Sequence, residues 1–303
     1  MGTIAYMFPG QGSQSVGMRE KIGAMSDRQK DLFARADEIL GYSLSDLIDR
    51  GPEDELTRTS NAQPALLVTG IAFAVALDER GMKADAAMGH SLGEYTALVH
   101  AGVISFDDGV RIVRRRGELM EEAVRDTPGK MAAVIGMPLQ ALKEVIARCR
   151  DHGVIEITNF NSPSQVVLSG ERAAVDHAVR AINEGGTAKA IELNVSAPFH
   201  SSLMRPIAET FGAFLADFEF HPPRCRFIDN VTGGLESSPE AIRRKLVDQL
   251  SSPVQWERAV RCAIDTGVDT FLEAGPGSVL SGLVKRIARG VKVMGAEAIL
   301  KGD

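Results

Sequence analysis

Cysteine is scarce, with three in 303 residues. Cys149, Cys225 and Cys262 lie far apart, with no C-x-x-C pair and no histidine at ligand spacing. That excludes a disulfide framework and a cysteine-based zinc site, and it leads to an expectation of reduced thiols in a cytoplasmic protein with no bound metal. Aromatic residues are also few, at 5%, with a single tryptophan. No lysine/arginine-rich arm or aromatic-basic stripe is present, and the formal net charge is −6. Nucleic acid is therefore not an expected partner. Long hydrophobic runs are missing too: the longest, Ala65 to Leu77, is interrupted by Thr69 and Gly70. It reads as too short for a bilayer and as a buried helix instead, so no membrane association is expected. The first residues carry no basic n-region, and Tyr6 stands where a myristoylation motif wants Ser or Thr. What remains is ordinary globular composition, 44% hydrophobic and 24% charged, on a chain long enough to bury a large core.

Strand and helix signals alternate along the first part. Thr3 to Phe8 reads as a strand stopped by Pro9-Gly10, and helical patterns cover Arg28 to Leu40 and Pro64 to Glu79. A short strand, Asp85 to Met88, is followed by a helix from Glu94 and a long helix from Phe106 to Val124. This alternation predicts an α/β fold with a parallel sheet. Between Pro128 and Val195 the order becomes β-α-β-β-α-β, the pattern of a ferredoxin-like unit. We expect a small subdomain over 128–196 inserted into a larger one made of 1–127 and 197–303, with a cleft between them. Ser238 and Pro239 mark the start of a later helix, as N-cap and first helical residue.

Gly89-His90-Ser91-Leu92-Gly93 is the one G-x-S-x-G in the chain, set between a strand and a helix. That is the layout of a nucleophile elbow, in which a tight turn lifts a serine to its apex. Chance alone supplies such a pattern about 0.1–0.3 times in a chain this long, so the serine needs supporting residues. A serine hydroxyl needs a base, most often histidine. His90 is adjacent in the turn and would point away from the base position; His100 and His177 lie in helices and read as packing or surface residues; His152 and His221 flank turns. His200 is left, in the loop Ser196-Ala197-Pro198-Phe199-His200-Ser201 where the chain re-enters the larger unit. A third group normally orients the imidazole, and Asp248, Gln249, Asp265 and Asp269 all stay open on this reading. Arg114-Arg115-Arg116 sits on the long helix, where successive residues point about 100° apart. The ordinary reading is a solvated basic face; the alternative is one arginine turned inward to meet a carboxylate with its planar fork.

These residues belong to a wider set: Phe8-Pro9-Gly10-Gln11-Gly12-Ser13-Gln14, Gly89 to Glu94, Arg116-Gly117, Gly129-Lys130-Met131-Ala132-Ala133, Asn159 to Pro163, Ala197 to Ser201, Gln249-Leu250, Ser252 to Trp256 and Glu273 to Gly277. In that order the chain resembles the malonyl-CoA:acyl carrier protein transacylases, from about Ile4 to Ile287. The resemblance implies a hydrolase-like large subdomain with Ser91 as nucleophile and His200 as general base, then acid. It implies that the backbone carbonyl of Gln249 orients the imidazole, that the backbone N–H groups of Gln11 and Leu92 form the oxyanion hole, and that Arg116 pairs with the malonyl carboxylate. Phe199 resembles the residue that favours malonyl over methylmalonyl. The substrates implied are malonyl-CoA and the phosphopantetheine thiol of an acyl carrier protein, with no cofactor and a monomer as the expected state. Lys189, Lys285, Arg286 and Arg289 are candidates for docking an acidic carrier. A free-standing polyketide acyltransferase would share every motif; a serine esterase or thioesterase is the more distant alternative.

Overall fold

A computed structural model describes residues 2–126, 128–195 and 197–302. Positions 1, 127, 196 and 303, where the expected subdomain boundaries fall, lie outside the described residues. The strands are β1 (Thr3–Phe8), β2 (Ala86–Gly89), β3 (Gly129–Ile135), β4 (Ile155–Ser162), β5 (Gln165–Glu171), β6 (Lys189–Glu192), β7 (Arg226–Ile228), β8 (Leu235–Glu236), β9 (Val268–Glu273) and β10 (Lys292–Gly295). They form two sheets, with orders β10-β9-β1-β2-β7-β8 and β4-β5-β3-β6. The larger is parallel apart from its β7–β8 edge, and the smaller is antiparallel throughout. The result is the expected mixed α/β fold with a second sheet.

β1 is apolar on both sides because it is central in a sheet covered on both faces. Its Tyr6 and Phe8 pack into one core with the helix Thr59–Glu79, while Ala5 and Met7 pack into another with Val260, Leu283 and Val284. The helix Thr59–Glu79 begins five residues earlier than its sequence pattern, with Pro64 inside it. Proline has no N–H to give the carbonyl of Ser60 four residues back. Arg114 Nη1 donates to that oxygen instead, at 3.1 Å, which is how the helix tolerates the proline. At 21 residues, with an 18-residue stretch of mean hydropathy 1.4, this helix is, by length and composition, able to cross a bilayer, which corrects the shorter span read from the sequence. Here its apolar stretch is entirely buried as the central core helix.

The small sheet covers one face with the helices Leu139–Cys149 and Arg172–Glu184, around Ala132, Val134 and Leu168. Its other face carries Met131, Ala133 and Val167 into a cleft against the large sheet. β4 also ties the smaller sheet to the segment after the helix Pro239–Asp248: Phe160 N donates to Val254 O and Val254 N to Thr158 O, each at 2.9 Å. The cleft wall is thus tied by backbone bonds to the helix-bearing segment of the large unit.

Candidate active site

β1 and β2 are neighbours, so the loop after β1 and the elbow after β2 emerge side by side at the carboxyl edge of the sheet, where open α/β sheets bind ligands. Ser91 sits at the apex with φ 51°, a left-handed conformation costly for any residue with a side chain. The two elbow glycines are needed for closeness: a Cβ on Gly93 would lie 1.9 Å from Phe8 O, and one on Gly89 would lie 2.0 Å from the Gly93 backbone. The turn is thereby pressed against β1 with the serine hydroxyl outward.

Ser91 Oγ lies 2.7 Å from His200 Nε2. The other ring nitrogen, Nδ1, lies 2.8 Å from the backbone oxygen of Gln249. A carbonyl can only accept, so Nδ1 carries the hydrogen and Nε2 presents its lone pair to the serine O–H. Asp248, Asp265 and Asp269 make no hydrogen bond to the ring. Burial, reinforced by the positive charge of Arg116, pushes the His200 pKa down to about 3. The imidazole is therefore neutral, with its Nε2 lone pair facing the serine hydroxyl.

Of the three arginines, Arg114 and Arg115 turn to Glu118 and Glu122, and Arg116 turns inward and is buried. Arg116 Nη1 donates to Gln63 Oε1 at 3.0 Å, and Nη2 donates to Gln249 Oε1 at 2.9 Å and approaches Ser91 Oγ at 3.4 Å. Its guanidinium lies over the Tyr95 ring, 5.2 Å from the centroid. Among the described residues no carboxylate forms an ion pair with it, and its Nε has no partner. A buried cation bonded to two neutral amides and laid over an aromatic ring, with no ion-pair partner among the described residues, has charge left to pair with an anion.

Gln11, Leu92 and Phe199 line the same cavity, of about 480 Å³, with Ser91, His200 and Arg116. Among the described residues nothing accepts a hydrogen bond from the Gln11 or Leu92 N–H. His90 turns to β4 of the smaller sheet, its Nε2 2.8 Å from Asn161 Oδ1 and its ring edge-on to Trp256, and makes no hydrogen bond to Ser91 Oγ. His100 packs on Tyr6 and Phe8, and His152 stacks on His177. At the cavity mouth Arg286 Nη1 donates to Gln165 Oε1 at 3.2 Å, linking the helix Val279–Ile287 to β5 of the smaller sheet.

Four contributors escaped the sequence reading: Gln63, Glu94, Tyr95 and Asn230. Asn230 stands at the carboxyl end of β7 and grips the elbow from both sides, accepting from Ser91 N and donating to Gly89 O, each at 2.7 Å. Glu94 is the charged residue in an otherwise apolar first turn, buried beneath Ser91. Burial, and then the charge of Asp229, raise its pKa to about 8. A charged residue inside an apolar pattern was the available signal.

A parallel α/β sheet, a strained serine at its carboxyl edge and a neutral histidine bonded to it define an enzyme that passes acyl groups through serine. The chain belongs to the acyl transferase domain family, whose model matches residues 5–300. It is 45% identical to the malonyl CoA-acyl carrier protein transacylase of Bacillus subtilis (strain 168), covering 97% of this chain and 93% of that protein. Identity to the same-named protein of Escherichia coli (strain K12) is 43%, covering 95% of this chain and 93% of that one. Among solved structures, the malonyl-CoA:acyl carrier protein transacylase of Xanthomonas oryzae pv. oryzae superposes with a TM-score of 0.93 at 42% identity, covering 97% and 94% of the two chains. A malonyl-transacylase in complex with its type II polyketide acyl-carrier protein superposes with a TM-score of 0.94 at 39% identity, covering 99% and 100%.

Proposed function

We propose that this enzyme moves a malonyl group from malonyl-CoA, through an ester on Ser91, to the phosphopantetheine thiol of an acyl carrier protein. The observation that carries the acyl choice is Arg116, buried with no carboxylate ion-pair partner among the described residues and 3.4 Å from Ser91 Oγ. An acyl group that ends in its own carboxylate supplies the missing charge while its thioester carbon meets the serine.

The chemistry runs in two balanced halves. Ser91 Oγ attacks the thioester carbon and His200 Nε2 takes the hydroxyl proton. The resulting oxyanion is held by the Gln11 and Leu92 N–H groups, donors fixed in advance of the reaction. The C–S bond then breaks, and the imidazolium returns the proton to coenzyme A as its thiol leaves. In the second half His200 takes the proton of the incoming phosphopantetheine thiol, the sulfur attacks the serine ester, and the C–O bond breaks as Ser91 recovers its proton. Gln249 O stabilises the imidazolium through Nδ1–H less than a carboxylate would, which suits a base that must give the proton back twice in each cycle. The equation balances without a cofactor.

The names of the relatives support service in fatty acid synthesis, and the likeness to the polyketide transacylase keeps that pathway as the second reading. Phe199, buried beside His200, would fill the room an α-methyl group needs, favouring malonyl over methylmalonyl. Arg286 at the cavity mouth and exposed Lys189, with Lys285 and Arg289, would meet an acidic carrier. We also read the large sheet as hydrolase-like, on its elbow, and the antiparallel sheet ordered β4-β5-β3-β6 as ferredoxin-like, inserted as 128–196 between 1–127 and 197–303. A cytoplasmic monomer completes the proposal, with free cysteines in keeping with a reducing compartment.

Loading on stopped-flow timescales tests the base. Because His200 is held neutral down to about 3, kcat/KM for malonyl loading is expected to show no inflection at the ordinary histidine value near 6.5, its acid limb lying well below. A limb centred at 6.5 would contradict the buried neutral base. Stability follows the same sign. The unfolded chain protonates this histidine below 6.5 while the fold resists it, so the contribution is full above 6.5 and is lost as the pH falls towards 3.

A further inference from the structure

The buried carboxyl group of Glu94 touches none of the reacting atoms, yet Ser91, His200 and Arg116 are each held by one or both of its two partners. Glu94 Oε1 accepts from the backbone N–H of Asn230 at 3.1 Å, and Oε2 accepts from the side-chain Nε2 of Gln249. Asn230 is the residue that clamps Ser91 N and Gly89 O. Gln249 does three things at once: its Nε2 also donates to Ser91 O at 3.0 Å, its Oε1 accepts from Arg116 Nη2 at 2.9 Å, and its backbone oxygen holds His200 Nδ1 at 2.8 Å.

We infer that Glu94 is a positioning residue that sets the side-chain amide of Gln249, and through it the guanidinium of Arg116, so that selection of a carboxylate-bearing acyl group depends on a group buried behind the nucleophile. The inference rests on the roles proposed above for Ser91, His200 and Arg116. The reason for a carboxylate here is its acceptor count. Both neighbours are N–H donors, and the ionised carboxylate, the form present above its raised pKa of about 8 and the one in which the rates below are compared, has two acceptor oxygens and no donor. Burying such a group is costly, and Glu94 has no cation in an ion pair with it among the described residues, so an apolar or amide residue would be the cheaper choice for packing alone. What it secures is the sense of one amide. With Oε2 accepting, Gln249 must present Nε2 to Glu94 and Ser91 O, and hence Oε1 to Arg116. Turned over, the same amide would set N–H against the guanidinium and oxygen against the Ser91 carbonyl.

Glu94→Gln separates this from a structural role. The new amide has one acceptor and one donor, and the two partners differ in freedom. The Asn230 N–H is backbone and stays; the Gln249 amide rotates about its last torsion. The oxygen therefore goes to Asn230, the NH₂ goes to Gln249, and the Gln249 amide flips. The Ser91–His200 pair, held by Asn230 and by the Gln249 backbone, keeps its geometry. Two rates are measured on the full chain: malonyl loading from malonyl-CoA, and inactivation by an uncharged fluorophosphonate, which reports Ser91 and His200 without Arg116. In Glu94→Gln the malonyl rate constant is expected to fall about 10–100-fold, a range for misaligning one buried charge-assisted contact, while phosphonylation changes less than about threefold. Gln249→Met, which keeps the backbone carbonyl and loses the amide, should likewise lower the malonyl-to-phosphonate ratio, whatever its effect on the phosphonate rate itself. Adding Glu94→Gln to it should then change the malonyl-to-phosphonate ratio by less than about twofold, because no amide remains to flip. Equal falls in both rates, or an effect that multiplies through in the Gln249→Met background, would overturn the inference. If Glu94→Gln does not fold, Gln249→Met alone decides, an unchanged ratio counting against it. Failure of the wild type to take malonyl onto Ser91 in the same assay would instead strike the functional reading itself.

Discussion

Incubated with malonyl-CoA, the Ser91→Ala protein is expected to gain no mass, where the wild type gains one malonyl group that a holo acyl carrier protein then removes. The loss in turnover should reach about 10³–10⁶-fold, the range seen when a serine that forms a covalent intermediate is deleted. The geometry leaves no substitute. Ser91 Oγ is bonded to His200 Nε2 at 2.7 Å, and the remaining lining of the cavity offers no second hydroxyl in contact with that ring. Intact-mass spectrometry reads the result directly, and a malonyl adduct persisting on Ser91→Ala would remove the serine from the mechanism. Stability gives an independent check on the elbow. Alanine keeps the Cβ at φ 51°, whereas glycine adopts that conformation freely, so Ser91→Gly should be more stable than Ser91→Ala by about 1 kcal/mol. Equal melting temperatures would mean that the turn relaxes once the hydroxyl is gone.

How far the sequence carries depends on whether a residue's surroundings are local in the chain. The elbow was legible because strand, turn and helix are contiguous, and glycine at 89 and 93 is demanded by backbone contacts on either side of Ser91. The inward turn of Arg116 was legible only as one of three options, since helical geometry says that neighbouring arginines diverge and does not say which one meets the core. The choice is made by Gln63 and Gln249, 53 and 133 residues away in the chain. Likewise the search for an acid beside His200 failed from the residues alone, because the ring's partner is a backbone oxygen, which every residue possesses and no side-chain pattern marks. The extent of the helix Thr59–Glu79 was misjudged for a related reason: Pro64 signals a helix start, and the arginine that satisfies the carbonyl it abandons comes from 54 residues further along. Asn230 leaves no mark in the sequence as a site residue because its work is done on backbone atoms of the elbow, and Glu94 leaves only a charge at an apolar helix start, since its partners are a backbone N–H and the amide of Gln249.

Arg116→Ala is expected to convert the enzyme from one that reads charge to one that does not. The wild-type guanidinium is buried against Gln63, Gln249 and Tyr95, and burial lowers its pKa, so it is a cation kept at a cost that a carboxylate ligand offsets. With malonyl bound, removing one partner of a buried charge pair costs about 3–5 kcal/mol, which is roughly 10²–10³·⁵ in kcat/KM for malonyl loading. Acetyl loading draws nothing from the guanidinium and should be kept or increased, because the vacated space accepts an uncharged end without leaving a cation unpaired. Alanine also strands the Gln63 and Gln249 side-chain oxygens, so Arg116→Lys serves as the second variant. It restores the charge without the planar fork, and should recover part of the malonyl rate but less than one tenth of it where bidentate geometry matters. Single-turnover loading with malonyl-CoA and acetyl-CoA in parallel measures the ratio. A parallel loss for both substrates would make Arg116 a structural residue and leave an esterase or thioesterase reading standing; a loss confined to malonyl fixes the acyl group by its charge.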